Sequence, residues 1–176
     1  MRVPLFLRDH QAGFQVLLHA PAHTAQRRAK YLHVPGRQMA KCVPLSAPAG
    51  FVVAVLPATH RLDMEVLGRN LGGAVRLADE NEIAPLFGDC QWGGLVPFGA
   101  LYGLTTIVDE AFDPQGSLVF PAQRDFQAIR MRYADFARLE QPRRFRFASP
   151  TGASPARAIS AQASTDVRCD RRLSRE

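Results

Sequence analysis

The sequence predicts an α+β domain in which short strands and short helices follow one another irregularly. Short apolar runs end at proline or glycine, as strands do, while other segments begin at a capping residue, as helices do. We find no internal repeat. The 176 residues, 47% of them apolar, suffice for one domain with a substantial core.

The first half of the chain predicts two helices and a strand, followed by a hairpin. Gly13 ends the first helix, Pro21 ends the first strand, and Thr24 is the N-cap of the second helix. A turn at Pro35 and Gly36 precedes the hairpin. The predicted ranges are 2–12 and 25–32 for the helices, 14–19 for the strand, and 39–45 with 51–56 for the hairpin.

The second half predicts three helices and four strands. Asp63 caps a helix that Gly72 ends, and Asp79 with Glu82 has the spacing of a capping box for a further short helix. The other predicted ranges are 64–71 and 133–139 for helices, and 74–77, 104–108, 117–120 and 126–131 for strands.

The end of the chain differs from the rest in composition. Residues 149–176 are rich in Ser, Ala, Thr and Arg and carry few large aliphatic side chains. Such a segment cannot bury enough surface to offset the entropy of ordering. We therefore expect a folded domain over 1–148 and a disordered basic tail over 149–176, which is either an RNA tether or an inert extension.

Charge and cysteine content limit the partners and the compartment. The net charge of +6 and the pI near 9.9 indicate a polyanionic partner, with nucleic acid first. No apolar run approaches the ~18 residues of a membrane span, and charges come too early in the chain for a secretory signal. Cys42, Cys90 and Cys169 are too far apart for a disulfide framework or zinc ribbon. We expect a cytoplasmic protein without a membrane partner.

The common catalytic motifs are missing from the sequence. There is no phosphate-binding glycine motif, no zinc-protease helix and no serine-esterase elbow. The five histidines form no ligand pair at helix spacing, so we expect no metal. Asp109 and Glu110 are adjacent at a strand end, where neighbouring side chains point in opposite directions, which argues against an acid–base pair.

Lys41 is a candidate functional residue because lysine is rare in this chain. Among 22 Lys and Arg residues, only Lys30 and Lys41 are lysines. An ammonium is a compact charge whose pKa burial can move, whereas a guanidinium is a planar fork that stays charged. Lys41 opens an apolar stretch after a turn. The alternative is an ordinary solvated lysine at a strand edge.

A glycine-rich segment over 87–99, here called the glycine loop, is the second candidate. It contains four glycines, Pro97 and Trp92, the only tryptophan of the chain. Glycines allow a ligand to approach the main chain closely, and Pro97 stiffens the end of the loop. The apolar side chains of the loop favour a pocket wall over an ordinary tight connection.

These residues, taken in order, resemble the YbaK/prolyl-tRNA-synthetase-associated family of aminoacyl-tRNA editing domains. The similarity runs from about Phe14 to Phe147. It rests mainly on the lysine after a small residue at Ala40-Lys41 and on a GxxxP loop from Gly93 to Pro97, which are functionally paired in that family. Further matches are His19, Thr24-Ala25, Gly36, Leu56-Pro57-Ala58, Leu77-Ala78, Phe87-Gly88-Asp89-Cys90, Ala134-Asp135-Phe136 and Gln141-Pro142.

The resemblance implies a small antiparallel or mixed, barrel-like β-sheet flanked by short helices. It implies a trans-acting aminoacyl-tRNA deacylase that hydrolyses the ester of mischarged tRNA in translation quality control, without cofactor or metal. The implied partners are the 3′ acceptor end of the mischarged tRNA and, as a further option, an aminoacyl-tRNA synthetase. The implied catalytic residues are Lys41, Gly93, Gly94 and Pro97, and the implied substrate-binding residues are His19, Thr24, Leu56, Pro57, Leu95, Val96 and Phe98.

Elementary chemistry is compatible with these implied roles. Backbone N–H groups of a glycine-rich loop stabilise the negative charge that develops on the ester carbonyl during attack by water. Three groups of the substrate are alternatives for the binding partner of the Lys41 ammonium: the terminal phosphate, a ribose hydroxyl and the carbonyl. The chain has no obvious general base, so the ribose hydroxyl of the tRNA is our hypothesis for water activation.

The chain departs from the family pattern at several positions. Relatives often carry Pro, Glu and Thr where this chain has Val96, Gln91 and Cys42, and a glycine near Gln123. These differences affect amino-acid specificity more than reaction class, because one methylene changes binding by only ~1–3 kcal/mol.

Two other functions stay open. The first is a non-catalytic RNA- or synthetase-binding module of the same fold that uses Arg143, Arg144 and Arg146. The second, more distant one is a lysine-based Schiff-base enzyme.

Overall fold

Helices and strands follow one another along residues 2–90 and 94–152, the part of the chain that this computed structural model describes. The helices are α1 (Arg2–Asp9), α2 (Ala25–Tyr31), α3 (Met64–Leu71), α4 (Glu80–Ile83) and α5 (Tyr133–Glu140), with a 3-10 helix at Gly99–Tyr102. The strands are β1 (Phe14–Leu18), β2 (Ala40–Ala47), β3 (Gly50–Pro57), β4 (His60–Leu62), β5 (Arg76–Leu77), β6 (Thr105–Asp109), β7 (Ser117–Pro121), β8 (Gln127–Arg132), β9 (Arg143–Phe145) and β10 (Ala148–Pro150). The predicted α+β class is confirmed.

The strands form mixed β-structure in three pieces. A five-stranded sheet has the order β5-β2-β3-β6-β9, with antiparallel pairing around β2 and parallel pairing of β6 with β3 and β9. Strands β1, β8 and β7 form an antiparallel sheet, and β10 pairs with β4. A bridge between Met39 and Val119 joins the two larger sheets at the start of β2.

The predicted helix starts are confirmed because they rest on local hydrogen bonds. The Thr24 hydroxyl accepts from Arg27 N at 3.2 Å, and the Asp63 carboxylate accepts from two backbone N–H groups of α3. Asp79 and Glu82 form the predicted capping box of α4. Helix α1 is shorter than predicted, because Gln11 takes a left-handed conformation (φ 53°) that turns the chain after Asp9.

The described chain continues a few residues past the predicted end of the domain. The predicted boundary at Ala148 falls inside β10, where Ser149 and Pro150 pair with Arg61 and His60 of β4. The sequence does not predict β4 or β10, because neither strand has an apolar pattern of its own and both form by pairing with each other. The folded chain therefore extends to at least Pro150, and residues 153–176 of the predicted tail lie outside the described residues.

The core lies on both faces of the β2–β3 hairpin. Val53 and Val55 of β3 face a larger cluster that also contains Phe98, whereas Val52, Ala54 and Leu56 belong to a second cluster. Side chains of a strand point alternately to opposite faces, so the two clusters are separated by the sheet.

Asp109 ties the end of the sheet together. It is 1% exposed, and its Oδ2 accepts hydrogen bonds from Phe147 N at 2.7 Å and Ala148 N at 2.8 Å. Its Oδ1 accepts from Ala111 N at 2.9 Å. These bonds give Asp109 a structural role, in agreement with the expectation that it forms no acid–base pair with Glu110.

Candidate active site

A cavity of about 310 Å³ lies beside β2 and is bounded by α2, α4 and the glycine loop. Most of its wall is apolar, which suits an amino-acid side chain or another small organic group. The apolar lining residues are Ala25, Ala40, Val43, Pro44, Ile83, Ala84, Phe87, Leu95 and Pro121. The polar and sulfur-bearing lining residues are His23, Arg28, Lys41, Cys42, Glu80 and Cys90.

Lys41 lies at the boundary between this cavity and a shallower groove. It is paired with Leu56 of β3, and paired residues share a face of the sheet, so its side chain leaves on the side of the second core cluster. Lys41 also lines the groove, together with residues that include Arg61, Met64 and Leu77. It therefore borders both spaces.

The Lys41 ammonium is held by the main chain. Its Nζ donates to the His60 carbonyl oxygen at 2.8 Å. Burial lowers the pKa of Lys41, because a less hydrated environment disfavours the charged form. An ammonium has three N–H donors, so two of them remain for a ligand after this bond.

The outer edge of β2 is open beside the cavity. Strand β5 pairs only with Leu45 and Ser46, and among the described residues no strand covers the edge at Cys42. Ala78 N donates to the Pro44 carbonyl at 3.0 Å, so Pro44 directs its carbonyl away from β3. In an antiparallel pair, every second residue directs its N–H and carbonyl away from the partner strand. Cys42 is two residues before Pro44, so its N–H and carbonyl also point to the outer edge.

Arg28 forms a buried charged part of the cavity wall. It is 1% exposed and one of its NH2 protons is donated to the Ala22 carbonyl at 2.7 Å. Burial lowers the pKa of Arg28, while the nearby Cys42 and Asp125 act in the opposite direction. Arg28 could have been found from the sequence, since Ala25, Arg28 and Ala29 recur at helical spacing on the buried face of α2.

The thiols of the cavity are not activated. Burial raises the pKa of Cys42, with Arg28 opposing the shift, and burial also raises the pKa of Cys90. Both groups therefore stay protonated at neutral pH. Because the thiolate is the nucleophile, neither cysteine is suited to covalent catalysis in this state.

The C-terminal end of the glycine loop is fixed in the core. Val96 and Phe98 are fully buried, and the Phe98 ring lies 5.5–5.7 Å from the rings of Phe6, Phe120 and Phe136. Edge-on aromatic contacts at this distance stabilise the fold beyond the area that they bury. These two predicted substrate-binding residues thus anchor the loop.

The predicted catalytic residues are only partly brought together at the cavity. Lys41 lines it, together with Leu95, which is a predicted substrate-binding residue. Gly94 and Pro97 are buried within the loop that contributes Leu95, and Gly93 lies outside the described residues. Their catalytic roles stay predictions.

The remaining predicted substrate-binding residues are not among those that line the cavity. The Nδ1–H of His19 donates to the Ala20 carbonyl at 2.7 Å, and its buried Nε2 has no partner among the described residues. Thr24 caps α2. Leu56 is fully buried in the second core cluster, and Pro57 ends β3 opposite Ala40.

The arginines predicted for RNA binding are partly engaged within the protein. Arg143 donates to the Asn70 carbonyl at 3.4 Å, and Arg144 donates to the carbonyls of Glu110 and Phe112. These contacts give Arg143 and Arg144 structural partners in the free protein.

Two further features concern the whole described chain. Residues 2–90 and 94–152 contain no group of three or more His, Cys, Asp or Glu side chains that could hold a metal ion. Within the same residues, no helix has the length and apolar character needed to cross a membrane.

Comparison by sequence identifies the family of the chain. A sequence model of the aminoacyl-tRNA editing domain matches residues 19–139, more than half of the 176-residue chain. The matched range contains Lys41, the glycine loop and the cavity. No curated protein is significantly similar to the chain in sequence.

Comparison by structure gives several solved proteins with the same fold. A crystal structure of a hypothetical protein has a TM-score of 0.77 at 19% identity, covering 85% of this chain and 100% of that chain. A candidate trans-editing enzyme for prolyl tRNA synthetase has a TM-score of 0.75 at 21% identity, over 84% of this chain and 95% of that one. A candidate signal transduction protein from Marinobacter aquaeolei has a TM-score of 0.63 at 23% identity, over 83% of this chain and 30% of that one. At these identities the likeness establishes the fold alone.

Proposed function

Since the chain belongs to the family of aminoacyl-tRNA editing domains, we propose that it is a trans-acting deacylase that hydrolyses the ester of mischarged aminoacyl-tRNA. The observation that carries this proposal is that Lys41 and Leu95 line one cavity. They come from the lysine motif and the GxxxP loop, which lie far apart in the sequence. Folding brings both motifs to a space of the size that an aminoacyl group needs.

The cavity and the groove divide the substrate between them. The cavity, at about 310 Å³, is at the small end of the range for ligand pockets and would take the aminoacyl group. The groove would take the terminal nucleotide, whose base suits the apolar side chains of Met64 and Leu77 beside Arg61. The ester that joins the two parts then lies next to Lys41.

The charged groups of the cavity fit an aminoacyl ester. Glu80 is exposed at the first position of α4 and lines the cavity, so its carboxylate would attract the α-ammonium of the substrate. The two N–H donors of Lys41 that the His60 carbonyl leaves unused would bind the ester or the adjacent ribose.

The reaction would be direct attack by water. Water adds to the carbonyl carbon of the ester and gives a proton to the neighbouring ribose hydroxyl of the tRNA, which passes its own proton to the ester oxygen of the ribose as that oxygen leaves. The oxyanion that forms is stabilised by the Lys41 ammonium and by backbone N–H groups, of which that of Cys42 on the open strand edge is one candidate. The bond between the carbonyl carbon and the ribose oxygen then breaks, and the products are the free amino acid and uncharged tRNA.

The test is a deacylation panel with two matched lysine variants. Purified protein is incubated with tRNAs that carry each non-cognate amino acid, and release of the amino acid is measured. We expect Lys41→Ala to lose at least about a hundredfold in kcat/KM, the usual cost of removing an electrostatic stabiliser of the oxyanion. Lys30→Ala, which changes the exposed lysine of α2, should leave kcat/KM unchanged.

The outcomes separate the open functions. Full activity of a folded Lys41→Ala protein would overturn the role of the lysine. Inactivity of the wild-type protein on every mischarged tRNA would overturn the deacylase. Salt-sensitive RNA binding in that case would support the non-catalytic binding module instead.

A further inference from the structure

Gln123 has an unusual backbone conformation in the loop between β7 and β8. Its side chain is completely buried, and its φ of 66° lies in the left-handed region that favours glycine. A residue with a Cβ keeps such a conformation only when surrounding contacts compensate for the strain. The side-chain amide of Gln123 supplies those contacts.

The amide of Gln123 uses all of its polar atoms. Its Nε2 donates to the Asp89 carboxylate at 2.5 Å and to the Tyr102 hydroxyl at 3.3 Å. Its Oε1 accepts from Val3 N at 3.3 Å at the start of α1. One side chain therefore links the first part of the glycine loop, the 3-10 helix after the loop, and α1.

Neighbouring contacts extend this link to the cavity wall. The Cys90 thiol lies 3.4 Å from the Tyr102 hydroxyl, and Cys90 lines the cavity. The Arg2 guanidinium lies 3.7 Å from the Asp89 carboxylate and 5.5 Å from the centre of the Tyr102 ring. Asp89, Cys90 and Tyr102 are thus held in one network with Gln123 at its buried centre.

We propose that Gln123 is a positioning residue: it fixes the position of Cys90, and so of the part of the cavity wall that Cys90 forms around the substrate. It acts through Asp89 and Tyr102 and does not itself line the cavity. The inference rests on the proposed deacylase function for its catalytic consequence, and on the contacts above for the link itself.

Three substitutions separate the bridge from backbone strain. Gln123→Gly removes both the bridge and the strain at positive φ, so its midpoint of thermal unfolding should stay close to that of the wild type. Gln123→Ala removes the bridge and keeps the strain, and its midpoint should fall. Gln123→Asn tolerates the left-handed conformation but is one methylene shorter, so it should only partly restore the bridge.

The fluorescence of Trp92 gives a test of the link that does not depend on catalytic activity. Trp92 is the only tryptophan of the chain and follows Cys90 by two residues in sequence. We expect quenching of its fluorescence by acrylamide to change in Gln123→Gly, Gln123→Ala and Asp89→Ala. The double variant Gln123→Gly/Asp89→Ala should change no further, because residues of one network are not additive.

Kinetics then test the catalytic consequence. We expect the same variants to lose about tenfold to a hundredfold in kcat/KM on the substrate found by the panel, since small displacements of a site have effects of this size. The control is Gln141→Gly, which relieves another left-handed glutamine (φ 49°) at the end of α5 and should change neither reading.

The two proposals fail in different ways. Unchanged Trp92 quenching and unchanged kcat/KM in Gln123→Gly would overturn the positioning role while the deacylase stands. Additive effects of Gln123→Gly and Asp89→Ala on quenching would also overturn it. Inactivity of the wild-type protein would overturn the deacylase, and the quenching series would still decide whether Gln123 holds Asp89 and Cys90.

Discussion

Two buried carboxylates, Asp109 and Glu140, lie in different regions of the molecule and differ in how fully their oxygens are hydrogen-bonded. At one end of β6, Asp109 accepts three backbone N–H bonds, so that both of its oxygens have partners. Near the other end, Glu140 of α5 meets the segment that follows the glycine loop. Its Oε1 accepts from the Thr106 hydroxyl at 2.5 Å and from Ala100 N at 3.1 Å.

Glu140 is the less well compensated group of the two. Its Oε2 is buried without a hydrogen-bond partner among the described residues. Burial raises the pKa of Glu140, and the bonds from Thr106 and Ala100 only partly oppose the shift. Asp109 therefore stabilises the fold, whereas Glu140 fixes the end of the loop at a cost to stability, which is common near functional sites.

Among the substitutions that test this comparison, Asp109→Ala is expected to change the free energy of unfolding most. It leaves two buried N–H groups and one partly buried N–H group without an acceptor. Each unsatisfied buried group costs about 1–3 kcal/mol, so the free energy of unfolding should fall by about 4 kcal/mol. Urea unfolding followed by circular dichroism measures this change. Glu110→Ala is the matched control, because Glu110 is the exposed neighbour and only its backbone carbonyl is used by Arg144. A loss below about 1 kcal/mol in Asp109→Ala would contradict the structural role, given the cost of even one unsatisfied group.

A smaller effect is expected from Gly99→Ala on the Glu140 side. A Cβ at Gly99 would lie 2.6 Å from the Thr106 hydroxyl oxygen and 2.9 Å from the Leu104 carbonyl oxygen. The backbone must shift to remove these contacts, which costs about 1–3 kcal/mol in a packed region. Gly13→Ala is the control, because no atom lies within 4 Å of its added Cβ. Equal stabilities of Gly99→Ala and the wild type would show that this end of the loop is not tightly packed.

Features that depend on near neighbours in sequence were predictable. Thr24, Asp63 and Asp79 were recognised as caps because each bonds to N–H groups two or three residues later. The hairpin of β2 and β3 followed from two apolar runs and a turn. The rarity of lysine points to Lys41 and the density of glycines points to the glycine loop, the resemblance pairs the two, and both reach the cavity.

Features that depend on contacts between distant residues were not predictable. Gln123 and Asp89 are 34 residues apart, so no local pattern connects them. The resemblance implies a substrate contact for Leu56, but no local pattern shows that Leu56 lies opposite Lys41 in the second core cluster, because strand register follows from pairing rather than from composition. Strands β4 and β10 likewise exist only because each pairs with the other.

The smallest effect, and the one that bears most directly on the comparison, is expected from Glu140→Gln. The pKa of Glu140 is higher in the folded state than in the unfolded state, so the protonated carboxyl stabilises the folded protein. This stabilisation is complete at pH values below the unfolded glutamate pKa of about 4.3, and it is lost as the pH rises through the folded-state pKa. Glutamine has no such titration. The free energy of unfolding of the wild type should therefore move upward relative to Glu140→Gln as pH is lowered, and the two should differ by about 1 kcal/mol or less at neutral pH.

Urea unfolding of both proteins across this pH range makes the measurement. Thr106→Val adds a second step, because it removes the hydroxyl that lowers the pKa of Glu140. In that background the stability contributed by the carboxyl should persist to higher pH than in the wild type. A difference between wild type and Glu140→Gln that stays constant with pH would mean that the carboxylate is as well compensated as Asp109, and the contrast between the two regions would not hold.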